Sequence, residues 1–266
     1  MSDQYAPAPV SALVTAMCGV FGLAVGSFLN VVIYRVPRKE SIVRPRSRCP
    51  GCGTQLAERD NIPVVSWVVL RGRCRTCGES ISARYPLVEL LTGGLFVAAA
   101  LRFGLDWVLP AYLVFFASLV AITFIDLEHY IIPNRVLYPT LYVAVPLLVL
   151  AAALQDQWDN LERALLGAVL AWAFFLVLHL VSPRGMGFGD VRLSFLLGLF
   201  LGWLDLRHVF LGIFFGFLLG SIVGLALIAL RRRGRKDHIP FGPFLAAGSV
   251  IAVLFGSSIV GWYSPS

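Results

Sequence analysis

Charged residues are scarce in this chain, and their scarcity excludes most classes of soluble protein. Asp, Glu, Lys and Arg make up 14% of the 266 residues, whereas apolar residues make up 58% and the mean hydropathy is +0.80. A soluble domain has about 25% charged residues. The composition therefore predicts a protein that crosses a membrane several times.

Further absences exclude particular kinds of segment and site. The first ten residues contain no Lys or Arg, so the first apolar run lacks the basic start of a cleavable signal peptide and is expected to stay as an anchor. The glycine-rich run at 185–190 lacks the third glycine and the preceding strand of a dinucleotide-binding turn. Residues 1–86 show no βαβ pattern, which argues against a nucleotide fold in that part.

Apolar segments long enough to cross a bilayer as helices recur along the chain. They predict an all-α polytopic membrane protein with about eight transmembrane helices, at roughly 12–34, 87–103, 109–126, 136–154, 163–181, 190–204, 209–230 and 244–262. The sequence further predicts two parts. Residues 1–86 form one span with a long loop, and residues 87–266 form a helical bundle with short connections.

The basic residues are distributed unevenly between alternate loops. Of the 22 Lys and Arg residues, 19 fall in the loops at 35–86, 127–135, 182–192 and 231–243. Basic loops remain on the cytoplasmic side of a membrane, so the sequence predicts a cytoplasmic-membrane protein with both termini outside. The net charge of +7 is then explained by topology and by contact with anionic lipid, and nucleic acid is not expected as a partner.

Two pairs of cysteines lie in the loop after the first span. They are Cys49-x-x-Cys52 and Cys74-x-x-Cys77, and each pair is followed by glycine. Two such pairs at about this spacing are typical of zinc sites, because four thiolates can surround Zn²⁺ as a tetrahedron. The alternatives are two disulfides or idle thiols, and a cytoplasmic position disfavours disulfides. The pattern predicts a structural zinc ion that orders the loop.

Two aspartates stand where apolar segments meet polar loops. Asp126 ends one apolar run, and Asp190 follows the glycine-rich run that contains Gly185, Gly187 and Gly189. An ionisable residue at membrane depth is costly and is a functional-site hypothesis by default. The predicted topology puts both aspartates on the cytoplasmic side, where one ionised and one protonated carboxyl group could support hydrolysis. The glycines allow a tight turn that a peptide can approach closely.

Plainer interpretations of these residues remain open on pattern alone. Asp190 could cap the following helix, and Asp126 could be an ordinary loop residue. A non-enzymatic transporter or assembly factor with a zinc-ordered loop would also contain spans and buried acids. However, acidic residues of transporters more often lie near the middle of the membrane.

Several motifs, in the same order along the chain, resemble those of the type IV prepilin peptidases, which are intramembrane aspartyl proteases of the GxGD type. Besides the four cysteines, the motifs are Gly26-Ser-Phe-Leu-Asn-Val-Val-Ile-Tyr-Arg35, Pro86-Leu-Val-Glu89, Asp126-Leu-Glu-His-Tyr-Ile-Ile-Pro-Asn134, Gly185-Met-Gly-Phe-Gly-Asp190 and Ile239-Pro-Phe-Gly-Pro-Phe244. The resemblance covers nearly the whole chain.

The resemblance implies that Asp126 and Asp190 are catalytic, and that the four cysteines hold zinc. It also implies that the substrate is a prepilin or pseudopilin precursor whose basic leader is removed at the cytoplasmic face. Many members also methylate the new N-terminus with S-adenosylmethionine, an activity associated with the part that corresponds to residues 1–86. A GxGD protease of other substrate scope is the alternative within this resemblance. Arg192 stands where many members have Lys, and the two side chains differ in geometry.

Overall fold

The computed structural model describes residues 12–49, 51–183, 185–230 and 239–263. Both termini and most of the basic loop at 231–243 lie outside the described residues. In the described parts of the chain the helices are α1 (Ala12–Arg35), a 3-10 turn (Glu58–Asp60), α2 (Val65–Val69), α3 (Arg84–Phe103), α4 (Leu109–His129), α5 (Asn134–Gln155), α6 (Trp158–Val181), α7 (Phe188–Leu204), α8 (Leu206–Ala229) and α9 (Gly242–Tyr263). The predicted all-α class is confirmed.

Each of the eight predicted segments is a helix in the structure. Seven of the described helices are long and apolar enough to cross a membrane. The eighth, α7, has 17 residues and would be about 26 Å long at the usual helical rise, near the lower limit for a span. The additional helix, α2, has five residues and belongs to the long loop.

Helix α7 is the core helix of the C-terminal part. Twelve of its 17 residues are buried, as expected for a helix that is apolar on all sides and enclosed by others. The hydroxyl group of Tyr112 on α4 donates a hydrogen bond to the carbonyl of Phe200 at 2.7 Å. The rings of Phe115 and Phe200 stack with their centroids 4.2 Å apart. These contacts fix α4 against α7.

Glycines bring neighbouring helices into backbone contact. On α6, a Cβ added at Gly167 would lie 2.7 Å from the carbonyl oxygen of Gly198 on α7. A Cβ at Gly248 on α9 would collide with the backbone of Gly212 and Gly216 on α8. Small residues at helix interfaces allow the close packing that holds helices together in lipid, where apolar burial gives little driving force.

The chain forms two compact units, one that ends at Leu109 and one that begins at Pro110. In the N-terminal unit, α1 and α3 are antiparallel and packed through glycine. A Cβ at Gly22 would lie 2.8 Å from the Cα of Gly93, and one at Gly26 would lie 2.7 Å from the Cα of Glu89. The predicted functional division at residue 86 remains a prediction.

The long loop of the N-terminal unit is tied to the end of α1. Arg35 is buried, and its guanidinium group donates hydrogen bonds to the carbonyls of Ser41 at 2.9 Å and Pro45 at 2.7 Å. The Nδ2 of Asn30 donates to the carbonyl of Tyr85 at 3.1 Å. The chain between the two spans is therefore ordered by polar contacts as well as by its cysteines.

Candidate active site and metal centre

Asp126 lies in the last turn of α4, against the start of α9. The residue is 5% exposed, and its Oδ2 accepts a hydrogen bond from the backbone N–H of Gly242 at 3.0 Å. Gly242 is the first residue of α9, so this N–H is one of the donors that a helix leaves unpaired at its N-terminus. The positive end of the helix dipole favours a carboxylate there.

Asp190 lies in the first turn of α7 and is 8% exposed. Its backbone N–H donates to the carbonyl of Gly187 at 3.1 Å. Ile132 contacts both Gly189, which precedes Asp190, and Gly242, whose N–H binds Asp126. The structure thus brings together the two aspartates that the sequence singled out, although 64 positions separate them along the chain.

The glycines before Asp190 contribute their small size more than an unusual backbone conformation. None of Gly185, Gly187 and Gly189 adopts a left-handed φ. A Cβ at Gly189 would lie 3.1 Å from the Cβ of Ile132, whose δ-methyl group also lies 3.5 Å from the corresponding position at Gly242. Ile132 therefore fills the space between the glycine turn and the start of α9, and a larger residue at Gly189 would push them apart.

His179 holds the glycine turn from the side of α6. Its Nδ1 lies 2.8 Å from the carbonyl oxygen of Met186. Because a carbonyl only accepts, Nδ1 must carry the hydrogen. The imidazole ring also meets the edge of Phe188, with 5.5 Å between centroids. The position of His179 late in an apolar run gives no sign in the sequence of this link to the turn.

Arg192 connects α7 to the start of α5. Its guanidinium group donates to the Oδ1 of Asn134 at 2.9 Å and lies over the ring of Phe188 at 4.7 Å from the centroid. The planar guanidinium can stack and donate at once, which a lysine ammonium does less well. Asn134 is the first residue of α5, so Arg192 fixes the connection that follows Asp126.

The four loop cysteines form a cluster that could hold a metal ion. Their sulfur atoms all lie within 4.8 Å of one another, and those of Cys49 and Cys77 are 3.8 Å apart. Four thiolates at about 2.3 Å from a tetrahedral zinc ion have sulfur atoms about 3.8 Å apart. The cluster therefore has the dimensions of a tetrahedral thiolate site.

The two cysteine turns have the same backbone geometry. The N–H of Cys49 donates to the carbonyl of Thr54, and the carbonyl of Cys49 accepts from the N–H of Gly53. In the second turn, Cys74 makes the same two hydrogen bonds with Glu79 and Gly78. The glycine after each pair has a left-handed φ, of 70° at Gly53 and 74° at Gly78, which favours glycine. Each turn presents two sulfurs to the centre. This repeat was visible in the sequence only as two matching C-x-x-C-G patterns.

The pKa values of Cys52 and Cys77 are shifted in opposite directions. Hydrogen bonds with the side chain and backbone of Thr54 lower the pKa of Cys52 to about 6. At Cys77 the backbone of Glu79 lowers the pKa, but desolvation and the neighbouring cysteines outweigh it and raise the pKa to about 12. A bound divalent cation would hold all four cysteines as thiolates, because it deprotonates coordinating thiols.

Two family models match the chain one after the other. The Bacterial Peptidase A24 N-terminal domain matches residues 20–103, and the Type IV leader peptidase family matches residues 113–229. The first range contains the four cysteines, and the second contains both aspartates.

Curated relatives match over most of the chain. A protein of Aeromonas hydrophila is 39% identical over 269 residues, which cover 92% of this chain and 91% of that protein. Proteins of Myxococcus xanthus and Bacillus subtilis are 44% and 37% identical, with 90% and 92% of this chain covered and 70% and 95% of their own lengths. All three are named prepilin leader peptidase/N-methyltransferase. No solved structure matches the chain.

Proposed function

The chain belongs to the type IV leader peptidase family, and we propose that it removes the basic leader from a prepilin or pseudopilin precursor. The placement of Asp126 and Asp190, both buried and both next to residues that contact Ile132, carries this proposal. The interpretation as a transporter or assembly factor gives no reason for such a pair beside a glycine turn.

In the proposed reaction, one carboxylate takes a proton from a water molecule as its oxygen attacks the peptide carbonyl carbon. The other carboxyl group polarises that carbonyl and then supplies a proton as the C–N bond breaks. The products are a new carboxyl group on the leader and a free amine on the mature chain. Coupled carboxyl groups share their protons, so the roles of acid and base belong to the pair rather than to one residue.

Substitution of each aspartate tests the assignment. Asp126→Asn and Asp190→Asn are expected to lower cleavage of a precursor by about 10²- to 10⁴-fold, the usual contribution of an acid–base group. Gel mobility of the precursor and mass spectrometry of its products measure the loss. Asp156→Asn is the matched control, because Asp156 follows the last residue of α5 in a left-handed conformation that Asn also tolerates. Full cleavage by either active-site variant at normal membrane levels would contradict the proposal.

The active site is proposed to lie at the cytoplasmic face of the cytoplasmic membrane. Asp126 ends α4, Asp190 begins α7 and Gly242 begins α9. All three positions are on the side to which the basic loops assign the interior. A precursor with a basic leader would stay on that side for the same reason. The surrounding partner is membrane lipid, and nucleic acid is not proposed as a partner.

The metal of the cysteine cluster is proposed to be zinc, with a structural role. Four protein ligands leave no coordination position for water, so the ion would order the loop and take no part in the cleavage. Elemental analysis of purified protein tests this. Replacing Cys49 and Cys52 together by Ser is expected to remove the metal, whereas Cys18→Ser, outside the cluster, is expected to retain it. Unchanged zinc after the double substitution would reject the assignment.

N-methylation of the cleaved product is proposed as a second activity, with S-adenosylmethionine as donor. The printed name shared by the relatives supports it, together with the match of residues 20–103 to the N-terminal domain of the family. Mass spectrometry of a processed precursor, with and without S-adenosylmethionine, tests it. A product that never gains a methyl group would refute the methylation and leave the cleavage standing.

A further inference from the structure

The short helix α2 carries a row of exposed valines in the long loop of the N-terminal unit. Val65, Val68 and Val69, called the valine row below, are 53%, 60% and 68% exposed. They stand at positions i, i+3 and i+4, which are neighbours on one face of a helix. Exposed apolar side chains on the spans are expected to face lipid, but α2 belongs to a loop, where a contiguous apolar surface marks an interaction site.

The opposite side of α2 is attached to the loop itself. Ser66 is buried, and its hydroxyl group donates a hydrogen bond to the carbonyl of Arg59 at 2.9 Å. The indole N–H of Trp67 donates to the carbonyl of Ile81 at 3.0 Å. These contacts fix the orientation of α2, so that the valine row points away from the loop.

The segment before α2 lies beside the spans and not beyond them. The N–H of Val64 donates to the Oε2 of Glu89 at 2.7 Å, and Glu89 is five residues after the start of α3. Asn61 and Pro63 line a cavity whose other wall is formed by Ser27 and further residues of α1. Ser27 is eight residues before the end of α1, which corresponds to about 12 Å along the helix axis.

That level lies within the lipid layer. Helix α1 has 24 residues and is about 36 Å long, whereas the hydrocarbon core of a bilayer is about 30 Å thick. Even if the whole excess of about 6 Å were on the side of the loop, a level about 12 Å from that end would still reach the hydrocarbon core. The loop therefore enters α2 from within the membrane boundary.

The segment after α2 is basic. Between Asp60 and Glu79 the chain has three arginines and no acidic residue. Arg75 forms an ion pair with Asp60 at 2.7 Å. Arg71 and Arg73 are exposed, and no carboxylate of the described residues forms an ion pair with either of them. Two free guanidinium groups next to an apolar row complement a surface on which anionic groups cover apolar chains.

We propose that α2 docks on the membrane surface, with the valine row among the lipid acyl chains and with Arg71 and Arg73 on the phosphate groups of acidic lipids. The inference goes beyond the proposed peptidase activity and needs neither aspartate. An anionic leaflet attracts basic residues near its surface, and the planar fork of arginine matches the oxygens of a phosphate group. Lipid is proposed in place of a protein partner, because a surface at this depth beside the spans is surrounded by lipid.

Docking would also hold the cysteine cluster at the membrane. Cys74 directly follows Arg73, so no linker separates the anchored segment from the second cysteine pair. Helix α2 and its two arginines would thus add a third attachment of the loop to the membrane, besides the ends of α1 and α3.

The test uses the full-length protein in vesicles of phosphatidylcholine, either alone or mixed with phosphatidylglycerol. A photoreactive benzoylphenylalanine in place of Val68 reports what lies against the valine row, and mass spectrometry separates lipid adducts from protein adducts. A lipid adduct is expected, with a yield at least about fivefold higher in the mixture, because each basic residue near an anionic surface contributes about that factor. High salt is expected to remove this gain. Both leaflets of a vesicle carry the same lipids, so the result does not depend on the proposed orientation.

Substitution of the two arginines tests the contact with acidic lipid. Arg71→Gln together with Arg73→Gln is expected to remove the gain in the mixture. Arg46→Gln together with Arg48→Gln is the control, because it makes the same change of charge at exposed positions of the same loop, and it is expected to keep the gain. Equal losses in the two double variants would overturn the assignment to Arg71 and Arg73.

Substitution of two valines tests the apolar contact. Val65→Asn together with Val69→Asn is expected to lower the lipid adduct at position 68 by at least about tenfold, because the apolar area that enters the lipid is lost. Ile42→Asn together with Val43→Asn, at other exposed apolar positions of the loop, is the control and is expected to leave the yield unchanged. All four changes replace exposed side chains, so the Tm in detergent is expected to stay the same.

The remaining outcomes decide between lipid and other partners. Equal yields in the two kinds of vesicle would overturn the assignment to acidic lipid. An adduct to a second protein chain without one to lipid would overturn docking on the membrane, and so would a yield that Val65→Asn with Val69→Asn leaves unchanged. Precursor cleavage by the unsubstituted protein is measured separately, and its failure would contradict the peptidase proposal alone.

Discussion

At the scale of single residues, the contact between Gly242 and Asp126 in the candidate active site leaves no space for a side chain at position 242. The N–H of Gly242 donates to the carboxylate, and a Cβ at this position would lie 2.7 Å from the same Oδ2. That separation is shorter than real Cβ contacts allow. Either the carboxylate or the start of α9 would have to move if the glycine were replaced.

Gly242→Ala is therefore expected to lower precursor cleavage by about 10- to 100-fold, because a displacement of about 1 Å in a catalytic group has effects of that size. Initial rates of cleavage with matched amounts of membrane protein measure the change. Gly261→Ala is the control on the same helix, since a Cβ there meets nothing within 4 Å. Equal rates for the two variants would show that the Gly242 contact is not needed.

His179 gives a second test at this scale, through the atom that makes its hydrogen bond. The Nδ2 of Asn can occupy the place of Nδ1 in histidine, whereas the amide nitrogen of Gln corresponds to Nε2. His179→Asn is expected to keep cleavage within about threefold, and His179→Gln to lower it by about tenfold or more through displacement of the turn before Asp190. A general loss of helix packing would affect both variants alike, so equal rates would contradict the positioning role.

The sequence identified the two aspartates because a charge in an apolar run is conspicuous. Gly242 and His179 could not be found in this way, because their roles depend on contacts in space. Gly242 contacts Asp126, 116 positions away, and His179 contacts Met186, seven positions away. A hydrogen bond between distant segments leaves no periodic signal. The bond between Asn134 and Arg192 was likewise not predictable, because it depends on how α5 and α7 pack.

At the scale of helices, the contact between α6 and α7 depends on glycine on both sides. A Cβ at Gly198 would collide with the carbonyl oxygen of Gly167. Gly198→Ala is expected to destabilise the protein by about 1–3 kcal/mol, as overpacking usually does. A lower Tm in detergent measures this loss.

Gly94→Ala makes the same chemical change as Gly198→Ala and is expected to have the opposite effect on Tm. Gly94 lies within α3, where an added Cβ meets nothing within 4 Å, so the higher helix propensity of alanine is expected to hold or raise Tm. If Gly198→Ala also left Tm unchanged or higher, the close approach of α6 and α7 would not limit stability.

The helices themselves were largely predictable from length and hydropathy. The predicted segment at 190–204 corresponds to α7. This helix can be shorter than the other spans because other helices enclose it. Helix α2 was not predicted, because five residues among prolines and glycines give no periodic pattern. The positive φ of Val64, 61°, was also not predicted, because the N–H of Val64 bonds to Glu89, 25 positions along the chain, and local sequence gives no sign of that contact.

At the scale of the whole molecule, the proposed orientation in the membrane rests on the distribution of basic residues. Successive connections between spans alternate between the two sides. The proposed topology puts the connection between α3 and α4 outside and the connection between α4 and α5 inside. Leu105 and Ile131 are exposed residues of these two connections. Because only one span, α4, separates the two positions, they are expected on opposite sides of the membrane and together report its orientation.

Labelling with a membrane-impermeant maleimide tests this orientation. Leu105→Cys is expected to react in intact cells, because an outside thiol is accessible to the reagent. Ile131→Cys is expected to react above the unsubstituted protein only after permeabilisation, since the native loop cysteines are proposed to be inside as well. The reverse pattern would put Asp126 and Asp190 on the outer face. A basic leader retained in the cytoplasm would then not reach them, and cleavage at the cytoplasmic face would be wrong even if both aspartates proved essential.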